Sequence, residues 1–465
     1  SAEGYEQIAG TPIVCRVVPG LDYDLPDAAA SFELARGIAE ELDAAGVDRS
    51  ETILHWHNHA LGKNASQPLA AVGLARAGFR TLLQLHDFAE DFRPQNLTRL
   101  ARALTDGDVE KLPDVLYPQS PSIHYAVLNQ RDRKVLAAAG VPSERLHWLP
   151  NPVMSPPVDD DPVAARARVD AALGSRPTQK LLAYPVRGIR RKNIGELLLR
   201  CAVRDDVFGY LSLKPENEVE KPSFERWVRV ARELRLPCRL GDAGEHFNYS
   251  HLLAAADAVL TTSVAEGFGM AFLECWLAGK PLGGRNLPEI TDDFVELGVD
   301  LTSLYERVAT PIAWLDRDLH VELLGVAVQT IYAAGGEVSP SRKKIEEILD
   351  SQINEGTIDF ARLPTALQTT VIELVCRDSS CRNEFASLNP DFLSEGTPGV
   401  EAVAANAKII ERELAPGKIG AQLAQSYAGL LATDACDTVE RLPHGLQIRS
   451  RLWDLARLEP LRIES

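Results

Sequence analysis

Short apolar runs alternate with helical patterns twice over in this chain of 465 residues, and that alternation limits the fold more than any other feature. In the first pass, strands are predicted at Thr11–Val18, Thr52–Trp56, Arg80–His86, Ser122–Leu128 and Arg145–Leu149. Helices are predicted among them at Ala28–Ala45, Ser66–Ala77, Asn96–Leu104 and Gln130–Ala139. In the first helix Phe32, Leu34, Ala35, Ile38 and Leu42 recur at helical spacing. Strands alternating with helices build βαβ units and a parallel sheet.

Asn151-Pro152 opens a linker that runs through Pro156, Pro157 and Asp159–Asp161. The alternation then restarts. Strands are expected at Leu181–Val186, Gly209–Leu213, Cys238–Gly241 and Ala258–Ser263. Helices are expected at Ile194–Ala202, Phe224–Leu234, Tyr249–Ala256 and Gly269–Ala278, with Ser223 and Asn248 where N-caps belong. From about residue 320 the spacing is helical throughout, at Val321–Tyr332, Arg342–Ile353, Thr365–Val375, Val400–Leu414, Ile419–Leu431 and Leu446–Leu458, and no strand is predicted after residue 315. The expected fold class is α/β: two Rossmann-like parallel-sheet domains facing a cleft, residues 1–152 and 153–315. A helical extension, 316–465, follows them, and its last helices could pack back on the first domain.

Composition removes several function classes. A net charge of −17 argues against a general nucleic-acid binder, which needs a basic face, and against a basic membrane-surface protein. No stretch approaches the roughly 20 apolar residues of a spanning helix. No basic start followed by an apolar run marks a signal peptide. Seven cysteines, an odd count without a CxxC pair, read as reduced thiols of a cytoplasmic protein.

In open parallel sheets ligands bind at the carboxyl ends of strands, so the chemistry is sought there. The run Ala255–Pro281 reads as strand, Gly-bearing turn and helix, closed by Gly279 and Pro281. Gly267 and Gly269 allow close approach of backbone to a ligand. A helix starting near Gly269 would offer free N–H groups and a positive dipole end to a phosphate. Glu266 lies in the turn, and Glu274 about one and a half turns into the helix. Two carboxylates so placed can accept hydroxyls from two parts of one elongated ligand. The second run, Leu181–Asn193, ends a strand in Arg187, Arg190, Arg191 and Lys192. Like charges so packed call for an anion, and Arg and Lys both suit phosphate.

These two runs resemble the family 4 retaining glycosyltransferases of the GT-B fold, over roughly residues 50–295. Glu266, Gly267, Phe268, Gly269, Glu274 and Ala278-Gly279-Lys280-Pro281 match that family's E-x7-E signature. Arg187 and Lys192 keep its Arg-to-Lys spacing, with Val186 where the family has Gly. The run Val141–Val153 echoes the end of its first domain, with Pro152 replacing Gly.

The resemblance implies that Glu266 lies near the donor sugar and that Glu274 binds the nucleotide ribose. It implies that the backbone of Gly267, Phe268, Gly269 and Met270 meets sugar and diphosphate, and that Arg187 and Lys192 hold the diphosphate. It also implies a His near the sugar at His86, and donor contact by the loop at Gly20. On the acceptor side, His55, His57 and His59 alternate and would share one strand face. No Cys or carboxylate joins them as a metal ligand, so they are expected to line the acceptor site with Asn58, Lys63, Asn64 and Asp87.

The implied reaction moves a hexose from a nucleoside-diphosphate sugar, UDP- or GDP-linked, to a small-molecule, glycan or lipid acceptor. It proceeds with retention and without cofactor or metal. Rival readings are a GT-B-fold epimerase or phosphorylase, and a non-catalytic nucleotide-sugar-binding scaffold. The helical extension is a candidate surface for homo-oligomerisation.

Overall fold

The computed structural model describes residues 13–23, 28–241, 246–393, 399–434 and 436–464. They fall into two compact units. Unit 1 is Ser1–Pro150, Thr330–Ser339 and Ile419–Asp454; unit 2 is Asn151–Gln329, Pro340–Lys418 and Leu455–Ser465. Residues 316–465 are therefore divided between the units.

Unit 1 holds four parallel strands in sequence order: β1 (Ile53–His57), β2 (Arg80–Leu85), β3 (Ile123–Val127) and β4 (Leu146–Trp148). Every residue of β2 and β3 is buried, as both faces of a covered parallel sheet require. The helices Ser31–Ala44, Gln67–Arg76, Pro94–Leu104 and Gln130–Ala139 surround it. Leu442, Ile448 and Leu452 join its core beside Phe79, Leu83 and Tyr125. Gln119 and Glu440 exchange two backbone hydrogen bonds of 2.9 and 2.7 Å.

The strand expected at Thr11–Val18 is not found. Thr11 and Pro12 lie outside the described residues, and Ile13–Val18 carry no strand. Ile13, Val14 and Val17 are exposed and Val18 packs against the core, but the run has no ladder to make a strand of its β-branched residues.

Unit 2 holds six parallel strands in the order β10-β9-β8-β5-β6-β7. They are β5 (Lys180–Arg187), β6 (Val207–Leu213), β7 (Cys238–Leu240), β8 (Ala258–Thr261), β9 (Leu282–Arg285) and β10 (Leu304–Tyr305). A further antiparallel pair joins β11 (Ala309–Pro311) to β12 (Thr357–Asp359), so a strand does follow residue 315. Three residues among helical patterns are too few to show a period.

One of two expected helix caps differs. Ser223 is inside the helix Lys221–Glu233, because Pro222 occupies its first turn. Asn248 caps Tyr249–Ala255 as expected, in a capping box with His251.

A buried ionic knot ties β9 and β12 to the helix Ile194–Val203. Arg285 forks onto Asp359 with two 2.8 Å bonds and pairs with Glu196 at 2.7 Å, and Tyr305 donates to Glu196 at 2.7 Å. Burial pushes the Glu196 carboxyl up, against the pull of Arg285. Removing one member would leave an uncompensated buried charge. No helix among the described residues is long and apolar enough to cross a membrane.

Candidate active site

In unit 2 the exits of the neighbouring strands β5 and β8 meet. Pro185 cannot donate to the ladder, and the β5–β6 register shifts between Tyr184 and Arg187. The chain then passes so close to Phe224 that a Cβ on Gly188 would lie 2.3 Å from its ring. A single turn, Arg190–Lys192, follows, and Asn193 (φ 47°) leads into the next helix.

The β8 exit grips this turn. The Val264 N–H donates to the Arg191 carbonyl at 2.9 Å. Thr262 Oγ1 donates to the Lys192 and Asn193 carbonyls at 2.9 and 3.1 Å. The Tyr184 hydroxyl lies 3.2 Å from the Lys192 carbonyl and 2.8 Å from Ser263 Oγ.

Held this way, Lys192 Nζ meets Glu266 Oε1 directly, with both side chains at most 10% exposed. Arg191 Nη1 stands 3.8 Å from Glu266 Oε2. Burial alone would raise the Glu266 carboxyl. Lys192 and Arg191 outweigh that and hold it below its usual value, so it is ionised at neutral pH.

Arg187 is turned to a different partner. Its guanidinium is half-exposed and meets Glu216 at 2.6 Å. Arg190 is occupied by Glu220 and by the Glu464 carbonyl.

The turn beyond Glu266 corrects another expectation, a continuous helix over Gly269–Ala278. Gly269 takes φ 86°, where a Cβ would press within 2.8 Å of Phe272. A three-residue 3₁₀ turn, Met270–Phe272, follows; Leu273 breaks at φ −123°; and only Glu274–Leu277 is α-helical. Phe272 and Leu273 spend their N–H groups on the Gly269 and Met270 carbonyls. The dipole of a long helix therefore does not bear on this turn. Phe268 is buried, edge-on to Phe294 at 5.5 Å between ring centroids. Glu274 is half-buried, and burial raises its carboxyl.

In unit 1 the exits of β1 and β2 bring His57 and His86 together, Nδ1 to Nε2 at 3.0 Å. His55 stacks on His57 at 4.3 Å between ring centroids. Asn58, at φ 57°, accepts the His86 and Asp87 N–H groups on Oδ1 at 2.7 and 3.2 Å. Asp87 is paired with Arg93 at 2.7 Å. Burial depresses both imidazoles, so the pair is neutral at pH 7.

His59 is not with them. The turn at Asn58 ends the strand's period of two, and His59 is buried against the Leu116 carbonyl at 2.8 Å. Asn64 is buried too. Its Nδ2 donates to the Gly20 and Asp22 carbonyls at 2.8 Å each, which fixes the Gly20 loop. Lys63 lies over the Tyr23 ring. Among the described residues no group of three or more His, Cys, Asp or Glu could hold a metal.

Sequence reasoning missed the supports. Gln368, fully buried, donates to Asn193 Oδ1 and to the Phe360 carbonyl, each at 3.1 Å. Nothing around Gln368 in the sequence marks it. The hydroxyl run Thr261-Thr262-Ser263 at a strand exit was the available signal for Thr262.

Two parallel Rossmann-like sheets in one chain, with C-terminal helices, define the GT-B fold of glycosyltransferases. The chain superposes on HepE of Anabaena, solved with UDP and glucose, with a TM-score of 0.50 at 14% identity, over 91% of this chain and 88% of that one. Sucrose-phosphate synthase of Thermosynechococcus elongatus gives 0.48 at 14% identity, over 86% of this chain and 79% of that one. In sequence, the chain is 26% identical over 389 residues to mannosylglucosyl-3-phosphoglycerate synthase of Petrotoga mobilis, covering 79% of this chain and 69% of the relative. No protein-family model matches.

Proposed function

We propose that this GT-B-fold glycosyltransferase is a retaining hexosyltransferase that takes its sugar from a nucleoside-diphosphate donor without a metal. The observation that carries the reading is the Lys192–Glu266 pair, a buried cation and an ionised carboxylate joined where β5 and β8 end. Lys192 and Arg187 take the donor diphosphate and stabilise the charge that grows on it as the glycosidic bond breaks. Arg187 reaches it by exchanging Glu216, an exposed partner whose loss costs little. Glu266 faces the sugar with the backbone of Gly267–Met270, and Glu274 takes the ribose. The acceptor hydroxyl attacks from the face the diphosphate leaves, so no carboxylate nucleophile is needed. His57, His86, Asn58 and Asp87 serve the acceptor side, where neutral imidazoles give and take hydrogen bonds without adding charge.

The fold shared with HepE, solved with UDP and glucose, supports a nucleotide-sugar donor. The name of the Petrotoga relative ends in phosphoglycerate, which makes phosphoglycerate and its glycosides the first acceptors to assay.

A thermal-shift screen across UDP- and GDP-hexoses, followed by nucleotide release with and without acceptor, tests the reading. The expected result is stabilisation by one donor series, acceptor-dependent release, and a product anomer matching the donor by NMR. Release of nucleotide with no acceptor dependence, or an inverted anomer, would refute it.

A further inference from the structure

Four cations follow one another out of β5, and the structure gives them different occupations. Arg187 is on Glu216 at the surface. Arg190 is locked by Glu220 and the Glu464 carbonyl. Lys192 is on Glu266. Arg191 is held only by its backbone, through the Val264 N–H. Its side chain is 30% exposed and its one ion-pair contact is Glu266 Oε2 at 3.8 Å, beyond hydrogen-bonding range. Among the described residues its guanidinium makes no hydrogen bond. Five N–H donors thus stand open, on a fixed backbone, beside the Lys192–Glu266 pair.

We infer that Arg191 is a donor-binding residue whose guanidinium grips the nucleotide sugar's diphosphate alongside Lys192. The inference rests on the donor-site reading above and deepens it. A planar fork matches two phosphate oxygens at once. Unlike Arg187, Arg191 has no hydrogen-bonded carboxylate to displace first. The family resemblance assigns this work to Arg187 and Lys192 and leaves Arg191 without a role.

Calorimetry with UDP, GDP, UMP and GMP on the full chain decides the matter, using Arg191→Gln, Arg191→Lys and Lys192→Gln beside the parent. The parent is expected to bind one diphosphate better than its monophosphate. Arg191→Gln is expected to weaken that diphosphate roughly tenfold to a hundredfold, the worth of charge-assisted hydrogen bonds, and to affect the monophosphate less. Arg191→Lys should fall in between. Because Arg191 is part-exposed, the thermal midpoint of the free Arg191 variants should stay with the parent. If Arg191→Gln binds like the parent while Lys192→Gln is weakened, the Arg191 assignment is wrong and the donor site stands. If both variants bind like the parent, or the parent binds neither diphosphate, the donor-site reading fails and takes this inference with it.

Discussion

Glu90 in unit 1 and Glu266 in unit 2 each follow a strand of a parallel sheet, Leu85 closing β2 and Thr261 closing β8, and both carboxyls are buried. Burial pushes both upward. Around Glu90 it prevails. The Tyr117 hydroxyl donates at 2.9 Å and Arg449 exerts a weaker pull, and the carboxyl still sits at about 7. Around Glu266, Lys192 and Arg191 reverse the sign and the group stays ionised. The same desolvation thus gives a group on the edge of neutrality in one unit and a fixed anion in the other. The partner's charge, not depth, decides.

Lys192→Met attacks the comparison at its strongest point. It should lower kcat/KM by a factor on the order of 10² to 10³ through the lost stabilisation of the leaving diphosphate. It should also cost on the order of 3 kcal/mol in denaturant unfolding, because Glu266 remains buried with Arg191, 3.8 Å away, as its cation. In the parent, the depressed Glu266 contributes stability that is present above the unfolded carboxylate value and is lost as pH falls through its folded value. Lys192→Met removes the main cause of that depression, so its deficit against the parent should be largest near neutral pH and narrow as pH falls and the carboxyl protonates. Wild-type turnover in Lys192→Met would break the contrast between the two carboxyls and the site together.

Glu90→Gln tests the other side. A carboxyl raised to about 7 contributes stability that is complete below its unfolded value, near 4.5, and is lost as pH rises through 7. Glutamine keeps an acceptor for the Tyr117 hydroxyl and removes the titration. The variant should match the parent near pH 4 and exceed it by up to about 3 kcal/mol at pH 8. Parallel unfolding curves for the two proteins across that range would show that Glu90 is not raised.

Gln368→Leu probes how the Lys192 turn is held. It leaves Asn193 Oδ1 and the Phe360 carbonyl without their donor, at a cost of about 1–2 kcal/mol. Assayed well below its melting temperature, the folded variant should show a higher KM for the donor by several-fold, with the acceptor KM unchanged. Equal changes in both would reduce Gln368 to a packing residue.

What could be read in advance follows the reach of each signal. Strands β5 and β8 were visible as apolar runs, and Glu266 and Lys192 as residues at their exits, because both facts are local. That Arg187 is on Glu216 was not visible, since Glu216 comes from the loop after β6. The strand Leu282–Arg285 escaped because two glycines erase its period. The helix expected at Gly269 failed because apolar spacing does not separate i→i−3 from i→i−4 bonding. The row of alternating histidines misled at His59 because period two ends where Asn58 turns to positive φ. In each case the missing fact was tertiary or conformational, not compositional.

The smallest effect concerns His55, half-buried on β1, and it sharpens the contrast from the neutral side. Gln84 Nε2 points to the Leu149 carbonyl, so its Oε1 faces His55 Nε2 at 3.0 Å and must accept. His55 therefore carries its proton on Nε2, and Nδ1 accepts from the Tyr427 hydroxyl at 2.8 Å. Burial first, and the neighbouring His57 second, hold this imidazole at about 4, so it is neutral at physiological pH. Tyr427→Phe leaves Nδ1 without a donor and should cost about 1 kcal/mol, the net worth of one hydrogen bond. The loss should persist as pH falls toward 4, because a protonated Nδ1 becomes a donor and the same hydroxyl is its acceptor in the parent. No measurable cost anywhere in that range would mean that Tyr427 supports the sheet through its ring alone.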